Sequence, residues 1–185
     1  MVDSTLRCIR ESMLELLREK EYSEIQMKEI AESAHIGRRT LYRYFENKEQ
    51  IVKYVAESLM DNFAEEIEKQ DQMTLYSVTY AFYSFIEKNK GEFELLKSAR
   101  LLGLIEDNLL AMISRVAVKT KYKDQSPQEL KEMVAHMPVE EKYEFHYTFA
   151  GYWSLAMAWL EEEDNLSVEE ITKITIKIMS RRELN

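Results

Sequence analysis

The chain has 185 residues, 45% hydrophobic and 32% charged, with 4 Gly, 2 Pro and 1 Cys. So little glycine and proline argues against sandwiches, barrels and glycine-looped nucleotide folds, and a single cysteine excludes an internal disulfide framework or a thiolate metal cluster. The net charge is −9, yet residues 1–54 sum to zero and the stretch 36–53 carries Arg38, Arg39, Arg43, Lys48 and Lys53 against Glu46 and Glu49, a basic island that can meet phosphate locally.

Arg7, Arg10 and Glu11 interrupt the first apolar pattern, so no secretory signal is expected, and no run approaches the roughly 18 apolar residues of a membrane span. A cytoplasmic location is expected. Leu6, Ile9, Met13, Leu16 and Leu17 share one face of a first helix, which Ser4 or Thr5 can cap and Glu21-Tyr22-Ser23 ends. A short second helix turns Met27, Ile30 and Ala31 inward. After Ala34-His35-Ile36-Gly37, a third short helix carries Leu41 and Phe45. Asn47 and Gln50, at capping-box spacing, start a fourth that runs through Ile51, Val55, Leu59, Phe63 and Ile67. An aromatic-rich helix is predicted over 73–89, stopped by Asn89-Lys90-Gly91, then a short helix over 92–98 and another over 101–120. Lys119 to Pro127 reads as a loop, and Ser126-Pro127-Gln128-Glu129 as the start of a short helix. A helix from Pro138 to about Leu160 follows. Ser167 with Glu170 caps the last, whose Ile171, Ile174 and Ile178 form one stripe. The expected fold is all-α, with a three-helix head over 1–46, a larger body over 47–185, and the fourth helix joining them.

Residues 26–45 have the pattern a helix-turn-helix needs. Ile30, Ala31, Ile36, Leu41 and Phe45 can lock two short helices, and the small Ala31 lets their backbones approach. The outward face of the second helix is then Arg38, Arg39, Thr40, Tyr42, Arg43 and Tyr44. Guanidinium forks and hydroxyl-bearing aromatics can bond phosphates and read base edges in a major groove.

The run Ile-Gly-Arg-Arg-Thr-Leu-Tyr-Arg-Tyr-Phe-Glu-Asn-Lys-Glu at 36–49 resembles the recognition-helix signature of the TetR family of bacterial transcriptional regulators. The upstream Lys-Glu-Ile-Ala-Glu-Ser-Ala is similar too, and the resemblance is specific over residues 5–55. More loosely, Phe149 to Leu160, followed by Leu-Ser-Val-Glu-Glu-Ile, resembles the family's last two helices. The resemblance implies a homodimer on a palindromic operator, with the third helix in the major groove. It implies base contacts from Arg38, Arg39, Thr40, Tyr42 and Arg43, and phosphate contacts from Tyr44 and Lys48. Gln26 stands where the family commonly has a phosphate-binding Thr, His35 where it mostly has a turn Gly, and Gly37 where a capping Ser is frequent.

The resemblance also implies a small-molecule effector, expected to be mainly apolar or aromatic. Tyr76, Tyr80, Tyr83, Phe93, Trp153 and Met157 are candidate contacts, though a helical core needs such residues in any case. Dimerisation is expected on the helices at 139–162 and 167–183. There Ala150, Ser154 and Ala158 recur at i, i+4 and i+8, and Ile171, Ile174 and Ile178 supply an apolar stripe. His136 and His146 stand apart with Glu140, Glu141 and Glu144 between them, so no metal site is expected, and no cofactor. Cys8 has no resolving partner for a redox switch. No Ser-His-Asp order, phosphate loop or zinc helix supports an enzyme. The reading is a repressor released by its effector. A transcriptional activator of the same fold and a helical interaction module without DNA binding are the alternatives.

Overall fold

Apolar residues at helical spacing, with few glycines or prolines to interrupt them, give a chain whose every described element is helical. A computed structural model describes residues 2–68, 74–103, 129, 132, 135–162 and 166–180. Helix α1 is Val2–Glu19, α2 Met27–Ser33, α3 Arg38–Tyr44, α4 Lys48–Glu68, α5 Leu75–Lys88, α6 Lys90–Ser98, α7 Val139–Glu161 and α8 Val168–Ser180, with a 3-10 turn at Tyr22–Glu24. The expected all-α class holds, and no strand occurs among the described residues. Most of the helix expected over 101–120, the loop Lys119 to Pro127 and the cap at Ser126 lie outside the described residues.

Local caps set most of the boundaries. Gln50 N donates to Asn47 Oδ1 at 3.0 Å, as the spacing predicts for α4. Ser167 N donates to the Glu170 carboxylate at 2.9 Å, and Glu170 N to Ser167 Oγ at 3.3 Å, the reciprocal cap predicted for α8. Thr74 and Ser77 cap α5 the same way. One boundary differs: α1 already begins at Val2, so Ser4 and Thr5 fall inside its first turns. Arg100 ends α6 in the left-handed region at φ 59°, with Leu101 N donating to Leu96 O and Arg100 N to Lys97 O. That is the Schellman pattern usually filled by glycine.

The chain forms two compact units, Met1–Leu59 with Gly91–Ile105, and Met60–Lys90 with Glu106–Asn185. In the first, α1 buries Ile9, Met13, Leu14, Leu16 and Leu17. Arg10 of α1 donates to the Glu92 carboxylate of α6, so this unit extends past the three N-terminal helices and recruits a later segment. Helix α4 runs from the first unit into the second.

In the second unit Phe63 packs on Phe85, ring centroids 4.9 Å apart, and edge-on against Phe82 at 5.9 Å. Tyr83 meets Trp159 edge-on at 5.6 Å. Two hydroxyl pairs tie α5 to its neighbours. Thr79 Oγ1 donates to Leu75 O, so the Tyr152 hydroxyl of α7, 2.6 Å away, is the donor to Thr79. Tyr83 pairs with Thr175 of α8 at 2.7 Å.

Candidate nucleic-acid interface

Helix α2 starts at a tight box. Glu29 accepts from Gln26 N at 2.9 Å and from the Lys20 ammonium. The Lys20 bond, then the Gln26 amide, hold the Glu29 carboxyl below its ordinary range. Gln26 is exposed at the N-cap, beside the amides of the first turn. Ile30 and Ala31 on α2, with Leu41 on α3 and Phe45 just after it, are buried, and α2 packs against α3.

The turn between them closes on His35. Its φ is 53°; Ile36 N donates to Ala31 O at 3.0 Å and His35 N to Glu32 O at 3.1 Å. A histidine therefore occupies the left-handed C′ position that glycine usually takes. Gly37, by contrast, is extended at φ −68°, and its carbonyl accepts from Thr40 N at 2.8 Å and Leu41 N at 3.1 Å. It caps α3 without using any conformation forbidden to other residues.

Burying Leu41 turns the opposite side of α3 to solvent. Arg38, Arg39, Tyr42 and Arg43 are exposed, while Thr40 and Tyr44 are half-buried. Arg38 and Arg39 are engaged with no other described residue, so their forks remain available. Arg43 lies over the Tyr44 ring, 5.0 Å from its centroid, and donates to the Tyr44 hydroxyl at 3.3 Å. The predicted face is thus brought together on one short helix.

Lys48, expected on phosphate, has another occupation. Its ammonium donates to the carbonyls of Tyr22, Ser23 and Ile25. Only the backbone of a segment more than twenty residues upstream reveals this, although one signal was present: a cation at a helix N-terminus has the unfavourable sign for the macrodipole.

The six candidate effector contacts are divided between the two units and between buried and exposed positions. Tyr83 is a fully buried core residue, and Phe93 belongs to the first unit. Tyr76 and Tyr80 stack on each other at 6.0 Å and are exposed. Trp153 is buried and Met157 half-buried on α7. For the dimer residues, Ala150, Ser154 and Ala158 are exposed together on α7, and Ile174 and Ile178 on α8, whereas Ile171 is 5% exposed and belongs to the core. Val139, Tyr143 and Tyr147, absent from that prediction, extend the α7 strip. Among the described residues no cluster of three metal-ligating side chains occurs, and no helix is long and apolar enough to cross a membrane.

Residues 9–55 match the model for bacterial regulatory proteins of the tetR family. The chain is 23% identical over 192 aligned positions to YxbF, an uncharacterised HTH-type transcriptional regulator of Bacillus subtilis strain 168; the match covers 98% of this chain but 46% of that relative, so the chain spans about half its length. Among solved structures it is similar to a TetR transcriptional regulator from Streptococcus agalactiae 2603V, with TM-score 0.63 and 19% identity over 96% of this chain and 94% of that one. It is similar as well to the fatty acid degradation regulator FadR from Bacillus halodurans, with TM-score 0.63 and 14% identity over 94% and 96% of the two chains. The N-terminal segment 9–55 thus matches the model for bacterial regulatory proteins of the tetR family, and the all-helical fold of the chain is shared with these solved regulators.

Proposed function

We propose that this chain is a sequence-specific DNA-binding transcriptional regulator of the cytoplasm, a homodimeric repressor of a palindromic operator. One observation carries the reading: an exposed recognition helix that offers Arg38, Arg39, Tyr42 and Arg43 while Leu41 anchors it from behind. Arg38 and Arg39 are suited to bidentate base contacts, each worth about 1–3 kcal/mol of discrimination. Thr40, Tyr42 and Arg43 face the groove beside them, and Tyr44 reaches a phosphate at its edge. The Gln26 and Gly37 caps present helix N-termini to the backbone.

The dimer part rests on α7. One side buries Phe149, Trp153, Ala156 and Trp159. The other exposes Val139, Tyr143, Tyr147, Ala150, Ser154 and Ala158, spaced 4, 4, 3, 4, 4 along the helix. A helix apolar on both sides needs a second cover, and Ile174 and Ile178 of α8 add to that demand. Two copies pairing these helices as a four-helix bundle supply it.

A dimer reads successive major grooves only when its recognition helices stand about 34–36 Å apart. An effector that favours another spacing lowers DNA affinity, and DNA lowers effector affinity by the same factor. The aromatic interior of the second unit, with Trp153 and Met157 on α7, suits a mainly apolar or aromatic effector.

The test is selection of an operator from random duplexes, followed by titration across salt. Steep salt dependence is expected, with loss of sequence preference in Arg38→Ala/Arg39→Ala. Unchanged preference in that double variant would reject the assignment of α3.

A further inference from the structure

Lys48 is the first residue of α4. The positive end of the helix macrodipole lies there, so nothing in α4 itself favours a cation at this place. The favourable partners come from elsewhere in the head. Nζ donates to Tyr22 O at 2.7 Å, Ser23 O at 3.1 Å and Ile25 O at 3.1 Å. An ammonium has three N–H donors, and these bonds use all of them. The Tyr22 ring lies against the same charge, its centroid 4.5 Å from Nζ. Tyr22 O also accepts from Ile25 N at 3.3 Å, and the carbonyls that follow it, at the end of a short helical turn, are the kind a lysine can satisfy.

The location of these carbonyls gives the contact its consequence. Ile25 is followed directly by Gln26, the N-cap of α2. Helix α2 carries Ile30 and Ala31, two of the buried residues behind α3. Whatever holds the 22–25 turn therefore holds the start of α2, and through α2 the presentation of α3.

We propose that Lys48 is a positioning residue for DNA binding: its ammonium pins the 22–25 turn to the start of α4 and so fixes α2 and, through it, the recognition helix α3. It acts through α2 and touches no phosphate. All three donors are in use, so a phosphate oxygen could take this ammonium only by displacing at least one of its charge-assisted bonds to carbonyls. The inference rests on the DNA-binding role proposed for α3.

Lys48→Met keeps the aliphatic stem and removes the charge. Lys48→Arg keeps the charge, but a planar fork cannot direct three donors from one point. Each full-length variant is compared with the wild type by thermal melting and by affinity for a mixed-sequence duplex as a function of salt. Both variants are expected to melt lower and to bind roughly tenfold more weakly at low salt, about the effect of losing one hydrogen bond to a charged group. Their salt slopes should equal that of the wild type. A slope for Lys48→Met shallower by about one unit identifies a phosphate contact and overturns the proposal. Full affinity in Lys48→Arg shows that charge alone suffices and overturns it too. Unchanged affinity in folded Lys48→Met reduces the contact to a purely structural one and likewise overturns the positioning role. A wild type without salt-dependent binding brings down the reading of α3 and this one with it, and is recognised before either variant is titrated.

Discussion

The Tyr83 hydroxyl and Thr175 Oγ1 stand 2.7 Å apart with both side chains shut off from solvent, joining α5 to α8 through the interior of the second unit. Tyr83→Phe leaves the Thr175 hydroxyl buried without this partner and should cost about 1–3 kcal/mol in urea unfolding. Adding Thr175→Val removes the orphaned group, so the double variant should lose less than the sum of the single losses. Strict additivity would show that the pair contributes nothing as a pair.

Alkaline pH should weaken the fold. Burial, partly opposed by the Thr175 bond, pushes the Tyr83 hydroxyl from 10.0 up to about 12. Burial and then Glu49 push Tyr22 up to about 12, and burial raises Tyr152. The folded state holds these protons more tightly than the unfolded state does. The associated stability is therefore fully present below pH 10 and is lost as the pH rises towards 12. Urea midpoints should fall steeply across that window, less so in Tyr83→Phe. Equal slopes in the two proteins would contradict the assignment to Tyr83.

His35 at φ 53° invites relief. An L-residue in the left-handed region costs about 1–2 kcal/mol, and glycine avoids this cost while losing more chain entropy on folding. His35→Gly should therefore raise stability by about 0.5–1 kcal/mol, seen as a higher melting temperature, with DNA affinity retained. His35→Val should lower it.

Arg10 and Glu92 form a pair whose side chains are 16% and 22% exposed, and Arg10 Nε has no partner among the described residues. Glu92→Gln removes the countercharge from a guanidinium that is largely out of water. A loss of about 1–3 kcal/mol is expected in chemical denaturation, below the figure for fully buried pairs because some solvent remains. Replacing both residues by apolar ones, Arg10→Met with Glu92→Leu, should cost less than Glu92→Gln alone.

Ala150→Glu with Ala158→Glu places two carboxylates on the exposed strip of α7. Sedimentation should show a monomer with unchanged helical circular dichroism. An intact dimer would move the interface to another surface.

Much of this was legible because it is local. The buried faces of α1 and α4 follow from residues three and four apart, and the caps at Asn47 and Ser167 from pairs three apart. The exposed face of α3 follows once Leu41 and Phe45 are turned inward. What escaped needed distant chain. Aromatic residues occupy most sides of α5, so spacing alone could not tell buried Tyr83 from exposed Tyr76 and Tyr80; that depends on where α7 and α8 lie. Phe93 reads from sequence as part of the body, and its place in the first unit depends on the fold bringing Gly91–Ile105 to it. Lys48 reads as a surface cation until the carbonyls of 22–25 are placed beside it.

The first unit is discontinuous: Gly91–Ile105 joins it only after Met60–Lys90 has been supplied to the other unit. On the ribosome, α1 to α3 emerge early, but Arg10 waits for Glu92. A nascent chain holding only the N-terminal helices thus carries Arg10 before the Glu92 carboxylate that it meets in the finished unit has been made. The head reaches its full set of contacts only when the chain is long enough to have begun the body as well, and removal of everything after Leu59 by a protease would return it to that unfinished condition.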